Sequence, residues 1–138
     1  MGLDFRSDGC ELEDKPSWSY SGFMSFRTKL ASMTDIGDLR TMEGFPRYHL
    51  GPNLDIIFDG AEKTVRSWDE IDDAIVPLIN HSDCDGELSP DECRTVAPRL
   101  RELLSQLDVD HSYDLERGLL LAKMMDDCAL RNVPLIFC

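Results

Sequence analysis

The residues best suited to chemistry lie in one stretch, from His81 to Glu92. Oxygen-bearing groups recur there at nearly every second position, with Gly86 at the centre. A hard cation such as calcium needs about six to eight oxygen ligands from a short segment, so the backbone must reverse sharply midway. The stretch therefore predicts a cation site for Ca²⁺. Its candidate ligands are His81, Asp83, Asp85, the carbonyl of Glu87, Ser89 and Glu92.

This spacing resembles the calcium loop of the EF-hand family. In that family the last loop position binds the ion with both carboxylate oxygens and the eighth packs inward, and the resemblance assigns those roles to Glu92 and Leu88. The pattern departs at its first position, where the chain has His81 instead of aspartate. An imidazole nitrogen suits zinc, copper or nickel better than calcium. EF-hands normally occur in pairs, and neither Asp4–Lys15 nor Asp108–Leu119 makes a convincing second loop.

A metal-free turn between two helices explains the same residues. In it, Asp83 and Asp85 accept hydrogen bonds from backbone amides. Ser89 caps the next helix, Pro90 takes the first helical position, and Glu92 completes a capping box.

Zinc is a third interpretation, because His81, Cys84 and Cys93 offer three softer ligands. The spacing matches no standard zinc module. A fourth ligand would come from an aspartate, His111 or Cys128.

Length and composition bound the rest. A chain of 138 residues with 42% hydrophobic content buries one substantial core, so residues 1–138 are predicted to form a single domain. Five cysteines are an odd number, and no apolar secretory segment follows Met1, which indicates a reducing cytoplasm. No apolar run approaches the length of a membrane span, so we expect a soluble protein.

The charge balance also limits the partners. With 14 lysines and arginines against 27 acids, the net charge is -13. Nucleic-acid binding needs clustered basic residues, so direct binding is not expected. The acidity favours cations or basic proteins as partners, and a solvated acidic surface that binds nothing explains the same balance.

No catalytic motif is recognisable, and we expect a non-enzyme. The chain lacks a phosphate-binding glycine loop, a nucleophile elbow and a paired-histidine metalloprotease motif. Cys84 lies between Asp83 and Asp85, which disfavour its thiolate. His49 has no identifiable catalytic partner, so a solvated loop histidine is the simpler interpretation.

Periodicity predicts an α+β fold, mainly helical, with about four helices, a small sheet of short strands and one helix-loop-helix of EF-hand-like spacing. Apolar spacing predicts a helix from Tyr20 to Met33, with Arg27 off its buried face. Further helices are expected after the capping serines. The predicted helix starts are Ser67, Ser89 and Ser112, and the predicted strands are 1–5, 54–58 and 133–137, the first and last of them at edges.

Several segments together resemble a group of small acidic proteins, with no settled activity, encoded by actinobacteria and their phages. The resemblance implies a bacterial or phage cytoplasmic setting and no catalytic residue. The predicted function is an accessory protein that binds and modulates another protein through an acidic and aromatic surface, with Trp18 and Tyr20 as candidate contacts. The segments that carry the resemblance are Gly2–Phe5, Trp18–Tyr20 before a helix with Phe23, Phe26 and Arg27, His81–Pro90, and Val96–Leu100.

Overall fold

A computed structural model gives the course of residues 2–10, 12–43, 45, 48–50, 56–58, 66–82, 85–107 and 112–138. Helices dominate these residues and a small antiparallel sheet accompanies them, which confirms the predicted α+β class. In chain order the elements are β1 (Gly2–Arg6), β2 (Ser17–Ser19), α1 (Tyr20–Ser32), β3 (Tyr48–Leu50), β4 (Ile56–Phe58), α2 (Val76–Ile79), β5 (Glu87–Leu88), α3 (Pro90–Leu104), α4 (Ser112–Arg131) and β6 (Leu135–Phe137). Two single 3-10 turns are Leu39–Thr41 and Trp68–Glu70.

Local hydrogen bonds set the ends of the longer helices. At the start of α1, the Ser19 hydroxyl accepts from the Gly22 amide at 3.0 Å. After α4, Asn132 adopts a left-handed conformation with φ 56. The next amide, that of Val133, then donates back to the Cys128 carbonyl at 3.0 Å. This helix end turns the chain directly into β6.

The four-stranded sheet joins both ends of the chain. Its strand order is β2-β1-β6-β5, and each neighbouring pair is antiparallel. Side chains alternate between the two faces, so one face carries apolar residues from every strand. The inward residues are Leu3, Phe5, Trp18, Leu88, Leu135 and Phe137. Strands β3 and β4 form a separate two-stranded pair.

Aromatic rings fill the space between this sheet face and α1. The Trp18 and Phe26 rings stack with centroids 4.8 Å apart, and the Phe5 and Phe137 rings meet edge to face at 4.9 Å. Phe23 contacts this group and is fully buried. Large aromatic side chains contribute strongly to stability through buried area, so this cluster anchors α1 to the sheet.

Helices α3 and α4 form an antiparallel pair beside the aromatic cluster. A Cβ atom at Gly118 of α4 would lie 2.6 Å from the Leu104 Cδ2 atom and 3.2 Å from the Phe26 Cζ atom. The glycine therefore lets α4 approach α3 and α1 closely. Helix α3 continues through Pro98, and its apolar face is buried. Its buried residues are Cys93, Val96, Ala97, Leu100, Leu103 and Leu104.

Two predictions about elements were wrong. The capping box at Ser67 forms, but it starts a single 3-10 turn, and α2 begins only at Val76. The Asp73 carboxylate accepts from the Ile75 amide at 3.0 Å, and this local bond replaces helix continuation. Strands β1 and β6 are internal strands and not edges. Pro134 lies before the first paired residue of β6, so its missing amide hydrogen removes no sheet hydrogen bond.

Candidate functional site

The middle of the predicted ion-binding stretch belongs to the sheet. Gly86 has φ 91, a conformation that favours glycine, and its carbonyl accepts from the Phe137 amide at 2.9 Å. The two residues after it form β5, where Leu88 pairs with Leu135 of β6. The reversal expected at Gly86 is therefore present, and backbone pairing with β6 holds it.

Glu92 and Ser89 form the reciprocal cap that the metal-free interpretation predicts. The Ser89 hydroxyl accepts from the Glu92 amide at 3.1 Å, and Glu92 Oε1 accepts from the Ser89 amide at 3.0 Å. Pro90 follows in the first turn. The carboxylate that would bind calcium with both oxygens thus has one of them engaged in starting α3.

His81 is held from three sides. Its Nδ1 atom lies 2.9 Å from the Ser82 carbonyl oxygen, and Nε2 lies 3.1 Å from the Glu87 carbonyl oxygen. The imidazole stacks on the Phe137 ring, with centroids 3.8 Å apart. Each ring nitrogen therefore contacts a backbone carbonyl. One of these is the Glu87 carbonyl, which the calcium interpretation expects at the seventh loop position, so these groups contact each other and do not face a common ion position.

Arg27 organises the start of the stretch, and the prediction that it lies off the buried face of α1 was wrong. It is 2% exposed, and its Nη1 atom donates to the Ile79 carbonyl at 3.2 Å and the His81 carbonyl at 2.5 Å. Its guanidinium lies over the Phe23 and Phe45 rings, 4.8 and 5.3 Å from their centroids. The sequence does indicate this burial, because Arg27 comes four residues after the buried Phe23 and so lies on the same face of the helix.

The described ligand candidates do not converge. Asp85 and the Glu87 side chain are exposed, and Cys93 is buried in the core. No three histidine, cysteine, aspartate or glutamate side chains among the described residues are grouped to hold a metal ion. Three residues named for calcium or zinc lie outside the described residues: Asp83, Cys84 and His111.

Trp18 is a core residue, which corrects its prediction as a surface contact. It is 2% exposed, and its indole Nε1 donates to Asp114 Oδ1 at 3.3 Å. Asp114, itself only 7% exposed, also pairs with Lys29 of α1. Tyr20, the second candidate contact, is half-buried at the start of α1. The Trp18 ring therefore has no free face for a partner.

An acidic and aromatic surface is present elsewhere. Trp68 and Phe45 are half-buried and meet edge to face with ring centroids 5.8 Å apart. The Trp68 Nε1 atom donates to the Glu43 carbonyl at 2.8 Å, which places Glu43 beside the 3-10 turn. We name the exposed acids that lie within four residues of Phe45 or Trp68 in the chain the acidic rim. Its members are Glu43, Asp69, Glu70 and Asp72.

Many cations are used within the fold. Six of those described pair with acids, and each such pair is close to neutral. They are Lys29, Arg40, Arg94, Arg99, Arg101 and Arg131. Arg27 and Arg66 donate to backbone carbonyls. Because the chain has 27 acids and 14 lysines and arginines, acids outside these pairs outnumber the remaining cations.

Comparison with known proteins gives no assignment: no protein-family model, curated protein or solved structure matches the chain. Within the described part of the chain, no helix combines the length and apolar character needed to cross a membrane.

Proposed function

We propose that this chain is a non-enzymatic interaction protein of bacterial or phage cytoplasm, and that its acidic rim binds a basic surface of another protein. The observation that supports the proposal is that Asp69, Glu70 and Asp72 are exposed and follow the half-buried Trp68 closely in the chain. The backbone of Glu43, a fourth exposed acid, is bonded to the Trp68 indole. Acids steer a basic partner toward the surface, and an aromatic ring beside them offers apolar contact area.

Local hydrogen bonds hold the backbone that carries the rim. The Ser67 hydroxyl accepts from the Asp69 amide at 3.2 Å, and Glu70 Oε2 accepts from the Ser67 amide at 3.0 Å. The Trp68 indole is tied to the Glu43 carbonyl. A surface that is already ordered loses less conformational entropy on binding, which supports its use as a docking site.

The rim is tested by affinity capture of the tagged full chain from actinobacterial cells. The rim variant replaces three acids by amides: Glu43→Gln, Asp69→Asn and Asp72→Asn. Glu70 is retained because it holds the 3-10 turn. The matched control variant neutralises three acids elsewhere, all exposed in the structure: Asp8→Asn, Glu13→Gln and Asp14→Asn.

We expect the wild-type chain and the control variant to capture the same protein, and the rim variant to lose it. When the captured protein is purified, it must bind the wild-type chain and the control variant equally well and the rim variant more weakly. Equal capture by the rim variant would contradict the proposed surface. Capture of the same protein by an unrelated chain of equal net charge would contradict specific recognition.

A further inference from the structure

Two fully buried thiols lie at the same end of the α3–α4 pair. Cys93 is near the start of α3 and Cys128 near the end of α4, and both are 0% exposed. Arg94 Nη2 donates to the Ala129 carbonyl at 3.2 Å. This hydrogen bond joins the residues that follow the two cysteines, so it fixes both helix positions against each other.

Both thiols point at the same pair of strands. Cys93 Sγ lies 4.0 Å from the Leu88 carbonyl oxygen, and Cys128 Sγ lies 3.8 Å from the Pro134 carbonyl oxygen. Leu88 pairs with Leu135, the residue directly after Pro134. The two sulfur atoms are therefore brought to adjacent points of the β5–β6 ladder.

The surroundings favour a thiolate at Cys128. A hydrogen bond from the Cys93 thiol lowers the pKa of Cys128 to about 7, and burial opposes that shift. The Ser7 hydroxyl and the Arg131 guanidinium, which are 3.1 Å apart, lower the pKa further. The same thiol-thiol hydrogen bond, together with burial, raises the pKa of Cys93. The Ser7 and Arg131 groups on the Cys128 side therefore favour Cys128 as the thiol that reacts first and Cys93 as the partner that resolves its oxidised form.

We infer that Cys93 and Cys128 are a modification site at which a hydroperoxide forms a disulfide between α3 and α4. The Cys128 thiolate attacks the peroxide oxygen, which gives Cys128 sulfenic acid and releases water or an alcohol. The Cys93 sulfur then attacks the Cys128 sulfur, and the departing hydroxide takes the Cys93 proton as water. Two thiols are oxidised by two electrons, and the peroxide O–O bond is reduced. This inference does not depend on the acidic rim.

Burial sets the kinetics of this reaction. The peroxide reaches the sulfur atoms only when the end of the α3–α4 pair opens locally, so the rate reports that opening. Cys138 is exposed and Cys10 half-buried, and they provide accessible thiols in the same chain. We expect both to react before the buried pair does.

The test treats the reduced full chain with hydrogen peroxide, blocks remaining thiols with an alkylating reagent, and maps peptides by mass spectrometry. The expected product is a Cys93–Cys128 cross-linked peptide that forms equally well at low protein concentration and disappears on thiol reduction. Its formation should raise the melting temperature. A disulfide that joins either cysteine to Cys84, or a pair that stays reduced when both accessible thiols are consumed, would overturn the inference.

Variants separate the two roles. In Cys93→Ser the cross-link is lost and a sulfenic-acid trap such as dimedone should label Cys128, because its oxidised form is no longer resolved. In Cys128→Ser, both the cross-link and dimedone labelling of the pair should be lost. Cys10→Ser with Cys138→Ser is the matched control and should retain the cross-link. Circular dichroism confirms that each variant is folded, and dimedone labelling of Cys93 in place of Cys128 would contradict the assigned order.

Discussion

The reciprocal cap of α3 gives the sharpest prediction, because it decides what Glu92 does. Ser89→Ala removes the acceptor of one helix-start amide, which costs about 1 kcal/mol of unfolding free energy. Glu92→Ala removes the 3.0 Å bond to the Ser89 amide and a favourable charge at the helix start, about 1–2 kcal/mol in total. For a chain of this length each kcal/mol lowers the melting temperature by roughly 3–5 °C.

The assay is urea unfolding followed by circular dichroism, once with a chelator and once with excess Ca²⁺. We expect Glu92→Ala to lower the free energy of unfolding by the same amount with the chelator and with Ca²⁺. The control is Asp91→Ala in the same helical turn, whose partner Arg94 is exposed, and its loss should not exceed about 0.5 kcal/mol. A loss for Glu92→Ala that appears only with Ca²⁺ would refute the capping role. Calcium at one hundred times its dissociation constant would then stabilise the wild-type chain by about 2.7 kcal/mol.

Three other substitutions test the structure, each by urea unfolding. Gly86→Ala should destabilise the fold by about 1–2 kcal/mol, because φ 91 strains any side chain, and a loss near zero would contradict the tight reversal. Asp114→Asn should cost about 1–3 kcal/mol, because it leaves the partly buried Lys29 without its counter-charge, whereas Glu116→Gln at the surface should change little. Asp73→Asn should cost about 1–2 kcal/mol at pH 7. The Arg99 hydrogen bond lowers the pKa of Asp73 below its ordinary 3.8. The stability difference between wild type and Asp73→Asn is therefore complete above pH 3.8 and should vanish as the pH falls through the lowered pKa. A loss of stability that does not depend on pH would contradict the ion pair.

Much of the helical structure was predictable because its signals are local. The apolar spacing from Phe23 to Leu30 identified α1, and the Ser89 capping box marked the first residue of α3. The helix expected after Ser67 failed because Asp73 bonds to a nearby amide, and propensity does not describe that competition.

The non-local features were harder to predict. Nothing along the chain indicates that β6 pairs with both β1 and β5, since strand order depends on contacts between distant segments. Trp18 stood in a polar segment, and its burial follows from its place on β2 beside Phe26. Arg27 was assigned to the surface because it is charged, although its helical phase already placed it inside.

The candidate site divides in the same way. The central glycine of the stretch predicted the reversal at Gly86, and the capping motif predicted the cap at Ser89. The spacing could not reveal that the His81 ring would stack on Phe137, the penultimate residue. The aromatic residue of the proposed surface is Trp68 and not the predicted Trp18. A tryptophan's position in the sequence does not show how much of its side chain is covered.

The most direct test of the proposed interaction is the affinity of the purified pair as a function of salt concentration, measured by isothermal titration calorimetry. If the acidic rim binds a basic surface, wild-type affinity should fall steadily as salt rises, because ions screen the opposed charges. The rim variant (Glu43→Gln, Asp69→Asn, Asp72→Asn) should bind more weakly and depend less on salt, while the control variant (Asp8→Asn, Glu13→Gln, Asp14→Asn) should match the wild-type chain. Identical affinity and salt dependence for the rim variant and the wild-type chain would contradict the account.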